Sequence, residues 1–301
     1  MSVTAETVRQ LRERTGAGMM ECKRALVETG GDLDAAAELM RRQGLAKADK
    51  KAARVAAEGV IVVEKSADGR SAAMVEVNCE TDFVAREQDF RGFAADVARA
   101  ALAARTNSLE ALLASKLPSG ETVDERRRAL IAKIGENISV RRVVFVAAQA
   151  ALGAYIHGTR IGALVALEAG EDSLARDLSM HVAASNPKYL STAEVPAAEV
   201  AKEREILTEQ AKGDPKNQGK PDHILAQIVE GKVRKSLAEI TFLGQPFVRD
   251  DKVTIEKLLA GAKAKIAAYE RFEVGAGIEK KQDDFVAEVM AQVKGAAGGQ
   301  R

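Results

Sequence analysis

The 301-residue sequence predicts an α+β fold made of several modules, on three observations. A strand, a turn, a second strand and an amphipathic helix follow one another over residues 60–101, and the same order returns over residues 154–182. Three short helices punctuated by glycine precede the first of these units. Two long helices with a polar turn between them follow the second. Element order rather than residue identity therefore marks a weak internal duplication of one α+β unit.

The first helices lie between Thr4 and about Gly44. Val8 and Leu11 belong to one, Met19, Met20, Ala25 and Leu26 to the next, and Leu33, Ala36, Ala37 and Met40 to the third. Gly16 and Gly18 break the first helix, Gly30-Gly31 ends the second as a left-handed cap, and Asp32 can accept the free amide hydrogens opening the third. Met19 and Met20 are adjacent, and at about 100° per residue they cannot both point inward. One of them at an edge open to a partner is one reading, and plain core packing is the other. The stretch from Leu45 to Glu58 is dense in Ala and Lys and has no turn former, so it reads as a helical or extended tether. Its Lys47, Lys50, Lys51 and Arg54 read as a solvated face.

Gly59 opens the mixed region, with Val60 to Val63 as a strand, Ala67-Asp68-Gly69-Arg70 as a hairpin turn, and Met74, Val75 and Val77 on the returning strand. The polar turn Asn78-Cys79-Glu80-Thr81-Asp82 leads into a helix with Phe90, Phe93, Ala94, Val97, Ala98 and Ala101 on one face. Phe83, just past that turn, has two placements. If the helix begins at Asp82, the ring sits seven residues before Phe90 and joins the buried stripe. If the helix begins nearer Glu87, the loop presents an exposed acid and ring, the chemistry of a partner-binding anchor.

Beyond Leu117-Pro118-Ser119-Gly120, a helix from Asp124 carries Leu130, Ile131, Ile134 and Ile138, and strand character returns over Val140 to Val146. The second hairpin pairs Ala154–Ile156 with Ile161–Leu167 around His157-Gly158-Thr159-Arg160, and Leu174, Leu178 and Val182 mark the helix after it. Residues 196–239 form an antiparallel helical hairpin whose polar turn runs from Lys212 to Pro221. Its narrow stripe of Val200, Ile206, Leu207, Leu225, Ile228, Val229, Val233 and Leu237 predicts that it projects from the body. Thr241 to Val248 returns towards the sheet, Arg271 to Val274 offers a last short strand, and Lys281 to Val293 forms a terminal amphipathic helix through Phe285, Val289 and Val293.

Composition narrows the function. With Lys+Arg 45 against Asp+Glu 44, the formal charge is +1, so no bulk field favours nucleic acid or an anionic membrane. Two cysteines, Cys22 and Cys79, without CxxC spacing argue against a disulfide scaffold or a metal knuckle, and a cytosolic protein is expected. The N-terminus lacks an apolar signal core, and no window approaches the roughly 18 apolar residues of a membrane span. Gly213 to Lys220 departs from a phosphate-binding loop in spacing, and Pro221 stands where the magnesium-binding hydroxyl belongs. His157, His181 and His223 are not paired at helical zinc spacing, and no Gly-x-Ser-x-Gly elbow occurs. No catalytic constellation, metal site or cofactor site can be assembled, and a non-enzymatic binding role is expected.

Seven blocks carry a resemblance: LRERTGAGMMECKRAL (Leu11–Leu26), EVNCETDFVA (Glu76–Ala85), IGENISVRR (Ile134–Arg142), HGTRIGALV (His157–Val165), MHVAASNP (Met180–Pro187), GQPFV (Gly244–Val248) and RFEVGAGIEK (Arg271–Lys280). Together, and in order along nearly the whole chain, they resemble the bacterial translation elongation factor Ts family. The resemblance implies a ubiquitin-associated-like three-helix docking module over residues 1–45, a linker over 46–58 and a core subdomain over 59–152. It further implies a second, related core subdomain over 153–275 with a coiled-coil hairpin inserted at about 196–239, and a C-terminal helical module over 276–301. The implied activity is guanine nucleotide exchange on elongation factor Tu, bound with GDP or free of nucleotide, with nucleotide and magnesium held by that partner. The alternative is an adaptor or chaperone of a translation factor that does not exchange nucleotide. By the same resemblance Thr81, Asp82 and Phe83 form a loop that wedges between helices of the partner and disturbs its magnesium site. His157 matches a contact that shifts the partner's phosphate-binding loop. Arg12, Met19, Met20 and Lys23 match the docking surface of the helical module, and Val248 a contact of the second subdomain. In the final helix the family places a Met where this chain has Gln292, with Met290 two residues earlier.

Overall fold

The computed structural model describes residues 3–279. It opens with α1 (Ala5–Thr15), α2 (Met19–Glu28) and α3 (Leu33–Lys51). Thr4 caps α1 through a reciprocal pair of hydrogen bonds with Thr7, and Asp32 accepts the amides of Asp34 and Ala35, both at 2.9 Å, to open α3. Val8, Leu11, Cys22, Ala25, Leu26 and Ala36 close a small core of their own. The tether expected over residues 46–58 is helical as far as Lys51, because Ala and Lys are strong helix formers and nothing after Gly44 stops α3.

The first α+β unit comprises β1 (Glu58–Lys65), β2 (Ser71–Cys79), α4 (Asp82–Arg86), α5 (Gln88–Ala104), α6 (Leu109–Ala114), α7 (Val123–Ile134) and β3 (Ile138–Ala147). The second comprises β4 (Ala151–His157), β5 (Ile161–Ala169), α8 (Asp172–Ser185), α9 (Ala197–Gly213), α10 (Asp222–Ile240), β6 (Pro246–Phe247), β7 (Asp250–Thr254), α11 (Ile255–Gly261) and β8 (Lys265–Glu273). Their antiparallel sheets run β1-β2-β3 and β4-β5-β8. In each, the closing strand pairs with the second strand of the hairpin, so the units share a pairing order as well as an element order.

Period-two alternation builds the layers. On β2, Ala73, Val75, Val77 and Cys79 join the core beneath α5, while Ala72 and Met74 face the other way. On β5, Ala163, Val165 and Leu167 join the core beneath α8, while Leu164 and Ala166 meet Ala72 and Met74 in a shared core. The order is therefore helix, sheet, sheet, helix, and β2 and the middle of β5 are buried on both faces, with Glu76 and Asn78 as the polar exceptions on β2. Close approach decides one position: a Cβ on Gly153 would lie 1.9 Å from the Ala175 carbonyl oxygen, so only glycine lets α8 lie flat on β4.

A buried carboxylate ties the sheets at their common face. Glu76 on β2 accepts from Arg141 at 3.0 Å, Arg142 at 2.5 Å, the Asn78 amide at 3.0 Å and the Gly275 N–H at 2.8 Å. A register shift after Glu76 lets both consecutive arginines of β3 reach it. Burial opposes its charge, but the Gly275 and Asn78 donors and Arg142 prevail and hold the carboxyl below the usual range.

Several expected elements differ. Ile138 opens β3 instead of extending the preceding helix, because α7 ends at Ile134 and Gly135 adopts φ 90° as its cap. The last strand is β8 over Lys265–Glu273, longer than Arg271 to Val274, since its first half pairs with β5 through two register shifts that blur the alternation. Thr241 to Val248 does not rejoin a main sheet. Phe242 packs beneath α8, and Pro246–Phe247 pairs with β7 in a separate two-stranded ribbon. In the helical hairpin Ala211, Val229 and Val233 are buried with Val200, Leu207 and Leu237 against them, whereas Ile206 is exposed. The terminal helix expected over 281–293, with Gln292 and Met290, lies outside the described residues.

Candidate functional site

The loop after β2 settles where Phe83 goes. Thr81 has extended backbone and caps α4, its hydroxyl accepting the Val84 N–H at 3.4 Å. The helix does begin at Asp82, yet it lasts five residues and breaks at Glu87, whose ψ of 140° is extended, before α5 restarts at Gln88. That break resets the helical phase, so the seven-residue spacing to Phe90 no longer aligns the two rings. Val84 and Ala85 turn into the core beneath α5, and Phe83 is left 76% exposed. Asp82 beside it is partly exposed and pairs with Arg86 at 2.7 Å.

The loop is held from below. The Glu136 carboxylate accepts the amides of Glu80 at 3.1 Å and Thr81 at 3.0 Å and the Thr81 hydroxyl at 2.7 Å. The Glu80 carboxylate accepts the Asn137 amide in return at 2.6 Å. The Cys79 thiol donates to the Thr81 carbonyl at 3.1 Å, and burial, reinforced by Glu136 and Glu58, pushes it up to about 12. A thiol so held is a spacer rather than a nucleophile.

The second hairpin turn sits at the same edge. Arg160 pairs at 2.6 Å with Glu58, the residue opposite Cys79 in the β1–β2 register, and the Ile61 amide donates to the Thr159 carbonyl at 2.8 Å. This brings the turn carrying His157 beside the loop carrying Phe83. His157 is exposed, and its Nδ1 lies 3.3 Å from the Tyr155 hydroxyl. Val248, 47% exposed, occupies the β6–β7 turn, and its amide donates to Nδ1 of buried His181 at 3.2 Å.

The structure gathers the other expected residues on the N-terminal module, apart from this edge. Met19 and Met20 are both exposed, at 59% and 65%, because both fall in the first turn of α2 ahead of its inward-facing Cys22, Ala25 and Leu26. Core packing of either methionine is therefore excluded. Arg12 on α1 and Lys23 on α2 are exposed as well. Val27, also exposed, lies two turns beyond Met20 on the same face and extends the apolar surface; no role was expected of it. None was expected of Glu80, Glu136 and Asn137 either. All three stand inside blocks that carry the family resemblance, but no periodicity reports a pairing 55 residues apart.

Among the described residues no cluster of three or more His, Cys, Asp or Glu could hold a metal ion, and no helix is long and apolar enough to cross a membrane. A cleft of about 670 Å³ between the N-terminal helices and α7 is lined by both signs of charge, including Arg24, Arg41, Glu125 and Lys133, with no thiol or imidazole at its wall. Fold and site together define an α+β protein that leaves a large aromatic side chain, Phe83, exposed beside the second hairpin turn and a short apolar surface of Met19, Met20 and Val27 exposed on its N-terminal helices.

Comparison with known proteins gives the family. The family model described as "Elongation factor TS" matches residues 80–276. Proteins named elongation factor Ts from Methylococcus capsulatus and from Francisella tularensis subsp. novicida are each 55% identical to this chain, over 295 and 294 residues. One from Alkalilimnicola ehrlichii is 52% identical over 297 residues. Each alignment covers 98% of this chain and 99% or more of the relative. The chain belongs to the elongation factor Ts family, and so to the translation elongation factors of protein biosynthesis.

Proposed function

We propose that this protein is a guanine nucleotide exchange factor for elongation factor Tu, acting in the cytoplasm on the GDP-bound and nucleotide-free partner. The Phe83 ring enters the partner between helices, and Asp82 and Thr81 follow it towards the magnesium and phosphate site that the partner, not this chain, provides. His157 on the neighbouring turn presses on the partner's phosphate-binding loop. Arg12, Met19, Met20 and Lys23 dock the N-terminal module, and Val248 adds a contact from the second unit.

The single observation that carries this reading is the exposure of Phe83 in the short helix α4, whose next two residues are buried. A large apolar ring facing water lowers solubility and adds nothing to the core, but it suits a wedge held ready for a partner. Exchange then follows from linkage. If this protein and GDP each weaken the other's hold on a shared partner, the coupling is reciprocal, and about 3 kcal/mol corresponds to roughly 10²-fold in affinity. No covalent step is required of this chain.

Release of a fluorescent GDP analogue from elongation factor Tu, chased with excess GDP, tests the proposal. Acceleration that rises with the concentration of this protein and saturates is the expected result. A stable complex with unchanged release would replace exchange with a passive adaptor role.

A further inference from the structure

We propose that Glu136 is the positioning residue for the Asp82–Phe83 loop, and that the turn at residues 135–137 fixes this loop to the end of the N-terminal module. The consequence for activity rests on the exchange reading above, whereas the geometry stands by itself. A wedge works only if its ring is held in place before contact, since ordering it on binding would consume part of the binding free energy. Nothing in the sheet supplies that order. The pairing of β2 with β1 and β3 ends at Cys79, so the amides of Glu80 and Thr81 lie beyond the last ladder bonds. In a partly buried loop such donors need an acceptor.

Glu136 is that acceptor for both, and it also takes the Thr81 hydroxyl, giving three bonds to one carboxylate. The Thr81 oxygen in turn accepts from Val84, so one continuous chain runs from Glu136 through Thr81 into the helical turn that carries Phe83. The flanking residues reach the other way. The Lys51 ammonium at the end of α3 donates to the Gly135 carbonyl, and the Asn137 side-chain amide donates to the carbonyls of Ala52 at 3.4 Å and Arg54 at 2.8 Å. Arg54 itself lies 3.5 Å from the Glu80 carboxylate. One three-residue turn thus grips the wedge loop and the chain leaving α3. Glu136 faces the loop from inside and needs no contact with the partner to matter.

Two readouts on Glu136→Ala and Glu136→Gln separate positioning from general stability. Glutamine keeps one oxygen for the two amides and can donate to the Thr81 hydroxyl from its nitrogen. In the free protein, Glu136→Ala should lose hydrogen-exchange protection at Glu80 and Thr81 by about tenfold while the β2 amides keep theirs. In stimulated GDP release it should lower the maximal rate about tenfold and move the half-saturating concentration less than about twofold, because the Met19, Met20 and Val248 surfaces are untouched. Glu136→Gln should recover most of both. Unchanged protection at Glu80 and Thr81 would overturn the proposal, as would a parallel loss of maximal rate, half-saturation and melting temperature without rescue by glutamine. If the wild-type protein itself does not speed release, the exchange reading fails, and amide protection alone still decides what Glu136 does.

Discussion

His181 Nδ1 accepts the main-chain amide of Val248 at 3.2 Å, while Nε2 of the same ring lies 3.0 Å from Gln245 Oε1. An acceptor at Nδ1 leaves the proton at Nε2, so the buried imidazole is neutral and both ring nitrogens are used. The ring also stacks on Phe242, with centroids 5.6 Å apart. A lone buried histidine thereby sets the position of an exposed turn.

A pH dependence follows. Burial lowers the His181 pKa from its ordinary 6.5, with Gln245 opposing only in part. The unfolded chain therefore takes up a proton near pH 6.5 that the folded chain refuses, so this contribution to stability is intact above that pH and declines as pH falls below it. Melting temperature measured between pH 7.5 and 5 should fall for the wild type more steeply than for His181→Gln. Equal slopes would assign the decline to other groups.

Glu76 makes a second prediction, with the same direction of pH dependence. Its truncation leaves Arg141 and Arg142 facing a buried interface without their carboxylate. Glu76→Ala should cost about 3–5 kcal/mol, read as a lowered denaturant midpoint, with Glu76→Gln in between. Because the folded carboxyl lies below the ordinary glutamate value of 4.5, this contribution persists above that pH and is lost as acid is added. An unfolding free energy within about 0.5 kcal/mol of wild type would show that the cluster contributes no net stability.

Met19 and Met20 separate docking from wedging. Both side chains face water, so replacing both with serine should leave melting temperature within about 1–2 °C of wild type. In stimulated GDP release the double variant should raise the half-saturating concentration about tenfold at an unchanged maximal rate, since uniform binding is what such a surface supplies. A lowered maximal rate with unaltered half-saturation would place these residues in the exchange step instead.

What the sequence could show depended on how local the cause was. The stripe from Phe90 to Ala101 and the alternation through Met74, Val75 and Val77 were legible because burial follows the periods of helix and strand. Phe83 was not legible from periodicity, since its exposure depends on one extended residue, Glu87, that no propensity marks. Only the likeness of its neighbours to a known family pointed outward. Ile138 was misplaced because an apolar residue at helical spacing looks the same on either side of a capping glycine. The ties from Glu136 to Thr81 and from His181 to Val248 join segments 55 and 67 residues apart, and such pairings exist only once the chain has folded.

The most direct test of the exchange account sets Phe83→Ala beside the wild type in stimulated GDP release, with complex formation and melting temperature measured on the same samples. The account predicts a melting temperature within about 1–2 °C of wild type, because truncating a ring that is 76% exposed removes little packing. It also predicts retained binding and a maximal stimulated rate lowered by about tenfold or more. Full stimulation by Phe83→Ala would contradict the account, and a loss of stability on the scale of a buried ring, about 3–5 kcal/mol, would return Phe83 to the core.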